Sequence, residues 1–151
     1  MASTNARPPR RERLPGTGSR AAEEGGPAVP GALAGRRVLV VEDEALIAMN
    51  VQEMLDALGC VVVGAPTRVE EALAAVEDGG IDAVVLDVNL SGQPSFPVAD
   101  ALAARRVPFV FATGYGVHAL REDLRDRPVL PKPFVMGELE RALAGALAAR
   151  R

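Results

Sequence analysis

Five short apolar runs, separated by amphipathic stretches, constrain this chain more than any other feature it has. They are Val38–Val41, Val61–Val63, Ala83–Leu86, Phe109–Phe111 and Val129–Leu130. Each is continuous rather than alternating, mostly β-branched or aromatic, and too short for a helix. That pattern suits strands buried on both faces of a parallel sheet. Between the first two runs, Ile47, Val51, Met54, Leu55 and Leu58 recur at helical spacing, and Gly59 supplies a stop. Thr67 and Glu70 form a capping-box pattern that opens a second helix, with Val69, Leu73 and Val76 inside. Pro97 opens a third through Val98 and Leu102. Residues 117–126 suggest a short, highly charged fourth helix with few apolar anchors. Met136, Leu139, Leu143 and Leu147 stripe a fifth.

Strands alternating with helices imply parallel βαβ units with right-handed crossovers. The predicted fold is α/β, a flavodoxin-like doubly wound (βα)5 sheet of strand order 2-1-3-4-5. Its functional crevice is expected beyond the carboxyl ends of the strands, at the switch point between the first and third. Hydrophobic residues make up 48% of the 151, more than a disordered chain carries, and with no Trp the core must be aliphatic.

Residues 1–34 differ from the rest. They hold five Arg, three Glu and five Pro with no helical or strand period, and are read as a disordered tail. The basic cluster Arg7–Arg13 is diluted by Glu12, Glu23 and Glu24, so it reads as solvated chain. Residues 35–151 then form one domain, and nothing after the fifth helix leaves room for another. A net charge of −3 and a pI near 5.2 argue against a nucleic-acid partner. Cys60 is alone, which excludes a disulfide framework and a thiol metal cluster. No apolar run approaches the roughly 18 residues that a bilayer requires, and the N-terminus lacks a signal's apolar region. A cytoplasmic protein with no membrane partner is expected.

The chemistry emerges when polar residues are placed on that scaffold. The first run leads into Glu42-Asp43-Glu44, the third ends in Asp87, the fourth in Thr113 and the fifth in Lys132. Taken singly, each is ordinary: acids favour a helix's first turn, and Asp and Thr are common turn residues. Taken together, they put three acids, a hydroxyl and an ammonium on one sheet edge. Among the 17 Lys and Arg, Lys132 is the only lysine. Two carboxylates about 5 Å apart at an effective dielectric near 20 repel by roughly 3 kcal/mol. A divalent cation and the lysine would neutralise them, and hard oxygens without His or Cys point to Mg²⁺.

The segments RVLVVEDE, VVLDVNL, FATG and LPKPF, in that order, resemble a response-regulator receiver domain of bacterial two-component systems, over about residues 36–149. The resemblance implies that Asp87 is the phosphoacceptor. Glu42, Asp43 and Asp87, with the Asn89 backbone carbonyl, would bind Mg²⁺; Thr113 would bond the acyl phosphate and Lys132 would pair with its oxygen. It implies a histidine kinase or phosphotransfer protein as donor and a further protein as target, with a second copy of the chain as another candidate partner. Such a chain is not an enzyme: it assists only its own phosphorylation and dephosphorylation. The family also commonly holds the Lys132–Pro133 peptide cis.

Two departures stand out. Receivers usually carry an aromatic residue shortly before the lysine, where this chain has Val129 and Leu130. FATGY instead places the only tyrosine, Tyr115, after the fourth strand, a run similar to the stand-alone FAT GUY receivers. Without an aromatic on the fifth strand, the response to phosphorylation is expected chiefly in residues 113–127. Glu42 stands where Asp is commoner.

The leading reading is a stand-alone receiver that signals through phosphorylation-dependent contacts. The alternative is a phosphorylation-independent interaction module of the same fold. A hydrolase is disfavoured because P-loop, GxSxG, HExxH and GxGxxG motifs are missing and the lone histidine, His118, reads as a surface residue.

Overall fold

The computed structural model describes residues 31–116 and 119–149. The apolar runs form β1 (Arg37–Val41), β2 (Val61–Gly64), β3 (Ala83–Asp87), β6 (Phe109–Thr113) and β7 (Val129–Pro131). These pair in parallel in the order β2-β1-β3-β6-β7, so the chain winds one way from β1 to β2 and the other way from β3 onward. Four α-helices cover the sheet: α1 (Ala45–Ala57), α2 (Val69–Asp78), α3 (Phe96–Ala104) and α4 (Met136–Ala148).

Alternate residues of one strand feed opposite layers. Leu39 and Val41 of β1 pack with Val84, Leu86, Phe109 and Phe111 beneath α2 and α3. Val38 and Val40 pack with Val85, Val110 and Ala112 beneath α1 and α4. The strands β3 and β6 are buried along their whole length, as their continuous apolar runs predict. At the sheet edge, β2 departs from that expectation: it is only partly buried, and Val61 is 46% exposed.

Helix ends follow local chemistry. After α1 the Cys60 N–H donates to Leu55 O at 3.0 Å and the Gly59 N–H to Asp56 O at 3.0 Å, with Gly59 at φ +84°. This is the Schellman stop that Gly59 signals. The start of α2 differs in detail from the predicted box. Glu71, not Glu70, reaches back, and its Oε1 accepts from the N–H and the hydroxyl of Thr67, each at 3.2 Å. Counting Arg68 as the N-cap makes Glu71 the third helical residue, the position from which a side chain can turn back. In α4, Leu139 and Leu143 are buried as expected, but Met136 is exposed.

Three expectations require correction. No α-helix forms in the described part of 117–126; a 3₁₀ turn, Glu122–Leu124, takes its place. Arg121 has extended ψ of 140°, which interrupts helical winding. That segment also has more anchors than its charges suggest, since Leu120 and Leu124 are buried in the α2–α3 layer. Arg121 clamps it to α3: its guanidinium forks onto Asp100 at 2.6 and 3.1 Å and onto Asp123 at 2.6 and 3.0 Å, and lies 5.7 Å over the Phe96 ring. His118 lies outside the described residues. Of the expected tail, only 31–34 is described, and Leu33 there is buried in the α1–α4 layer, so packing begins before Gly35. The third correction is an addition: a two-stranded hairpin, β4 (Asn89–Leu90) and β5 (Gln93–Pro94), occupies what the sequence leaves as a loop.

No helix among the described residues is long and apolar enough to cross a membrane.

At the end of α3, Arg106 occupies the stop position with φ +56°, and the Val107 N–H donates to Leu102 O at 2.9 Å. Left-handed backbone costs an L-residue about 1–2 kcal/mol, while glycine gives back part of that in unfolded-state entropy. Arg106→Gly should therefore stabilise the protein by about 0.5–1 kcal/mol in urea unfolding; destabilisation would show that the arginine side chain matters more than its backbone.

Candidate functional site

Parallel strands end together, and the residues that follow β1, β3, β6 and β7 meet at one edge. Glu42 leaves β1 4% exposed, and Asp43 beside it is half-buried. Glu44 serves as the N-cap of α1, so the acids precede the helix rather than lying in its first turn. Asp87, the last residue of β3, and Thr113, the last of β6, are both buried. Lys132 follows β7, its N–H donates to Thr113 O at 2.8 Å, and its peptide to Pro133 is cis.

The lysine bridges the acids. Its Nζ donates to Glu42 Oε1 at 2.6 Å and to Asp87 Oδ2 at 3.0 Å, with the side chain 17% exposed. One carboxylate oxygen from each of Glu42, Asp43 and Asp87 lies within 4.8 Å of the other two. One ammonium among three carboxyl groups leaves an excess of negative charge on hard oxygen donors, which fits a divalent cation of the Mg²⁺ type. Asn89 lies in β4, two residues after Asp87, and its N–H contacts Asp87 Oδ1 at 3.4 Å. The six residues singled out from the sequence, Glu42, Asp43, Asp87, Asn89, Thr113 and Lys132, are thus carried to one sheet edge.

Thr113 is built into the backbone around it: its Oγ1 accepts from the Tyr115 N–H at 3.0 Å. Tyr115 itself is 80% exposed. Beside the cluster, a cavity of about 300 Å³ is lined by Ile47, Asn50, Val51, Lys132, Pro133 and Phe134.

Two residues that the sequence reading passed over also belong here. Ser91 in the hairpin donates its N–H to Asp43 Oδ2 at 2.9 Å. Ser95, wholly buried, donates its hydroxyl to the Asp87 carbonyl, fixing the chain after β3. The Ser91-Gly92 pair is a turn signal between short runs, and it is the one cue that announces the hairpin. Nothing in the sequence marks Ser95, whose role depends on where α3 begins.

Electrostatics follow from burial. Loss of solvent pushes the Glu42 carboxyl up from 4.5 to about 7; Lys132 pulls it down and Asp87 adds to the rise. Burial disfavours the Lys132 ammonium, but Glu42 and Asp87 outweigh it and hold the amine above its usual 10.5. The pair is thus drawn two ways, and the upward direction prevails for Glu42, because it is buried and shares its ammonium with Asp87. Burial also disfavours ionisation of Asp43, yet hydrogen bonds led by the Ser91 N–H outweigh it and hold that carboxyl below 3.8.

The chain matches the response regulator receiver domain model over residues 38–144. It is 36% identical over 108 residues to the transcriptional regulatory protein PdtaR of Mycobacterium tuberculosis, covering 69% of this chain and 53% of PdtaR. The chain thus spans about half the length of that curated relative. Among solved structures, SdrG from Sphingomonas melonis Fr1 is 54% identical with a TM-score of 0.69, covering 77% of this chain and 98% of SdrG. The BeF3-activated conformation of SdrG, from Pseudomonas melonis Fr1, gives 53% identity and a TM-score of 0.66, covering 76% and 98%. The PhyR receiver domain of Erythrobacter litoralis is 27% identical with a TM-score of 0.71, covering 80% and 96%.

A carboxyl whose folded pKa is raised stabilises the fold below its unfolded value and loses that contribution as pH rises through the folded one. In metal-free protein, unfolding free energy should fall between pH 4.5 and about 7, by on the order of 3 kcal/mol. Glu42→Gln should flatten that slope in pH-dependent urea unfolding. The Asp43 and Lys132 windows lie below 3.8 and above 10.5 and do not overlap it.

Proposed function

The chain belongs to the response regulator receiver family, and from that premise we propose that it accepts a phosphoryl group on Asp87 and signals by phosphorylation-dependent protein contacts. The observation that carries the reading is Lys132 Nζ at 3.0 Å from Asp87 Oδ2, beside two further acids. Lys132 occupies Oδ2, while Oδ1 has only the long Asn89 contact, so Oδ1 is the less encumbered nucleophile. It attacks phosphorus of a donor phosphohistidine: the new O–P bond forms as the N–P bond breaks, and the leaving imidazole takes up a proton. When bound, Mg²⁺ would supply charge neutralisation for the phosphoryl oxygens; Asp43, Asp87 and Glu42 would hold it, with the Asn89 carbonyl as the further ligand that the family resemblance implies. Lys132, a compact point charge, balances a phosphoryl oxygen, and such a transfer depends mostly on positioning and electrostatics.

The donor is a histidine kinase or phosphotransfer protein, the setting is the cytoplasm, and the chain acts as a stand-alone receiver of the FAT GUY kind rather than as an enzyme. FATGY supports that subtype, and the likeness to SdrG across nearly the whole of that chain supports the stand-alone reading. Intact-mass measurement after incubation with Mg²⁺ and a small phosphodonor tests the function. Phosphorylation should require Mg²⁺ and vanish in Asp87→Asn; full yield in that variant would remove Asp87 from the reaction. Lys132→Arg should keep the fold yet lose most of the beryllofluoride response, because a planar guanidinium is larger than the ammonium it replaces.

The switch follows from Thr113. As its hydroxyl turns to the phosphoryl group, the Tyr115 N–H loses its acceptor and the adjoining loop moves. Residues beyond it are held by Leu120, Leu124 and the Arg121 clamp. Amide exchange with beryllofluoride should therefore change most at Thr113–Gly116, with Leu124 keeping its protection. A response confined to α1 would reject this route.

A further inference from the structure

After Asp87 the chain folds back on itself through Ser91 and Gly92, which join β4 to β5. Both have positive φ, +52° and +84°, the requirement of a tight two-residue hairpin turn whose first position favours Asn, Asp or Gly. Serine holds that first position here, against the steric preference of an L-residue. What it gains is contact with the acid cluster. Its N–H donates to Asp43 Oδ2 at 2.9 Å, and its hydroxyl lies 3.4 Å from the same oxygen.

The turn is braced on every side. Gly92 N–H donates to Asn89 Oδ1 at 2.8 Å, Ser95 N–H donates to Val88 O at 2.8 Å, and Leu90 is buried in the α2–α3 layer. The donors in the cluster are unevenly shared. Both oxygens of Glu42 are engaged, by Lys132 and by the Glu44 N–H at 3.1 Å; both oxygens of Asp87 are engaged, by Lys132 and Asn89. Asp43 Oδ2 is taken by Ser91, and among the described residues no lysine, arginine or neighbouring backbone N–H hydrogen-bonds Oδ1.

We propose that Ser91 is a positioning residue: through its backbone N–H, the hairpin orients Asp43 so that Oδ1 is presented to the divalent cation. The inference rests on the reading of these acids as a Mg²⁺ site. Partners that orient a metal ligand typically change affinity by about 10- to 100-fold when lost, and here the partner is a turn rather than a side chain.

Calorimetric titration of the full, unphosphorylated chain with Mg²⁺ tests it. Ser91→Pro has no N–H and cannot adopt φ +52°, and should raise the Kd about tenfold or more. Ser91→Gly keeps the N–H and relieves the backbone, and should hold the Kd within about threefold of the parent while the unfolding midpoint in EDTA rises. A proline variant with parental affinity, or a glycine variant as weak as the proline one, would overturn the proposal. A measurement independent of how Ser91→Pro folds comes from amide NMR. The Ser91 N–H signal should shift downfield through its bond to Asp43 and lose that displacement in Asp43→Ala; a Ser91 signal indifferent to that substitution would also overturn it. Failure of the parent to bind Mg²⁺ would remove the metal reading and this inference together, whereas parental affinity in Ser91→Pro removes only the role of Ser91.

Discussion

A single half-buried ammonium holds the functional edge together. Lys132 contacts Glu42 at the end of β1 and Asp87 at the end of β3 while its own backbone is tied to β6. Three carboxyl groups within reach of one another repel, and without a cation between them their strands' ends would have to splay or their protons stay on. The rise of Glu42 toward 7, driven first by burial and then by Asp87, belongs to the same conflict. The site is therefore a compromise between a sheet that drives the acids together by burying Leu39, Val41, Leu86 and Phe111 and the charges those strands carry at their tips.

The same logic explains why the cluster is bound more tightly on one side. Glu42 is fixed twice and Asp87 twice, but Asp43 depends on a hairpin that reaches across from beyond β3. Rigid strands thus supply two of the acids, and a short antiparallel turn controls the third. On the far side, the loop after Thr113 is tied through the Tyr115 N–H to Thr113 Oγ1, and Leu120 and Leu124 anchor the chain further on.

Much of this was legible in the sequence because strands buried on both faces leave continuous apolar runs. Val38–Val41 and Phe109–Phe111 could be placed without ambiguity, and parallel winding then forces Glu42, Asp87, Thr113 and Lys132 to one edge. The hairpin escaped because Asn89–Leu90 and Gln93–Pro94 are too short for any period to show. Leu33 reads as tail because a lone leucine among Gly, Ala and Pro has no local pattern; only the packing of α1 and α4 reveals it. The charged stretch near 122 looked helical by composition, but the Arg121 backbone and its fork onto Asp100 favour a tighter turn. Local propensity cannot report a partner that lies twenty residues away.

A chain with 16 arginines carries just one ε-amino group, and that group sits in the acid cluster. Guanidinium groups are inert to the acylating and reductive reagents that modify amines, so side-chain amine chemistry of this sequence has one address. Lysine-selective isotope labelling would likewise give a single signal, from the group that contacts both Glu42 and Asp87. The composition thereby equips the protein with a built-in spectroscopic probe of its own acid cluster.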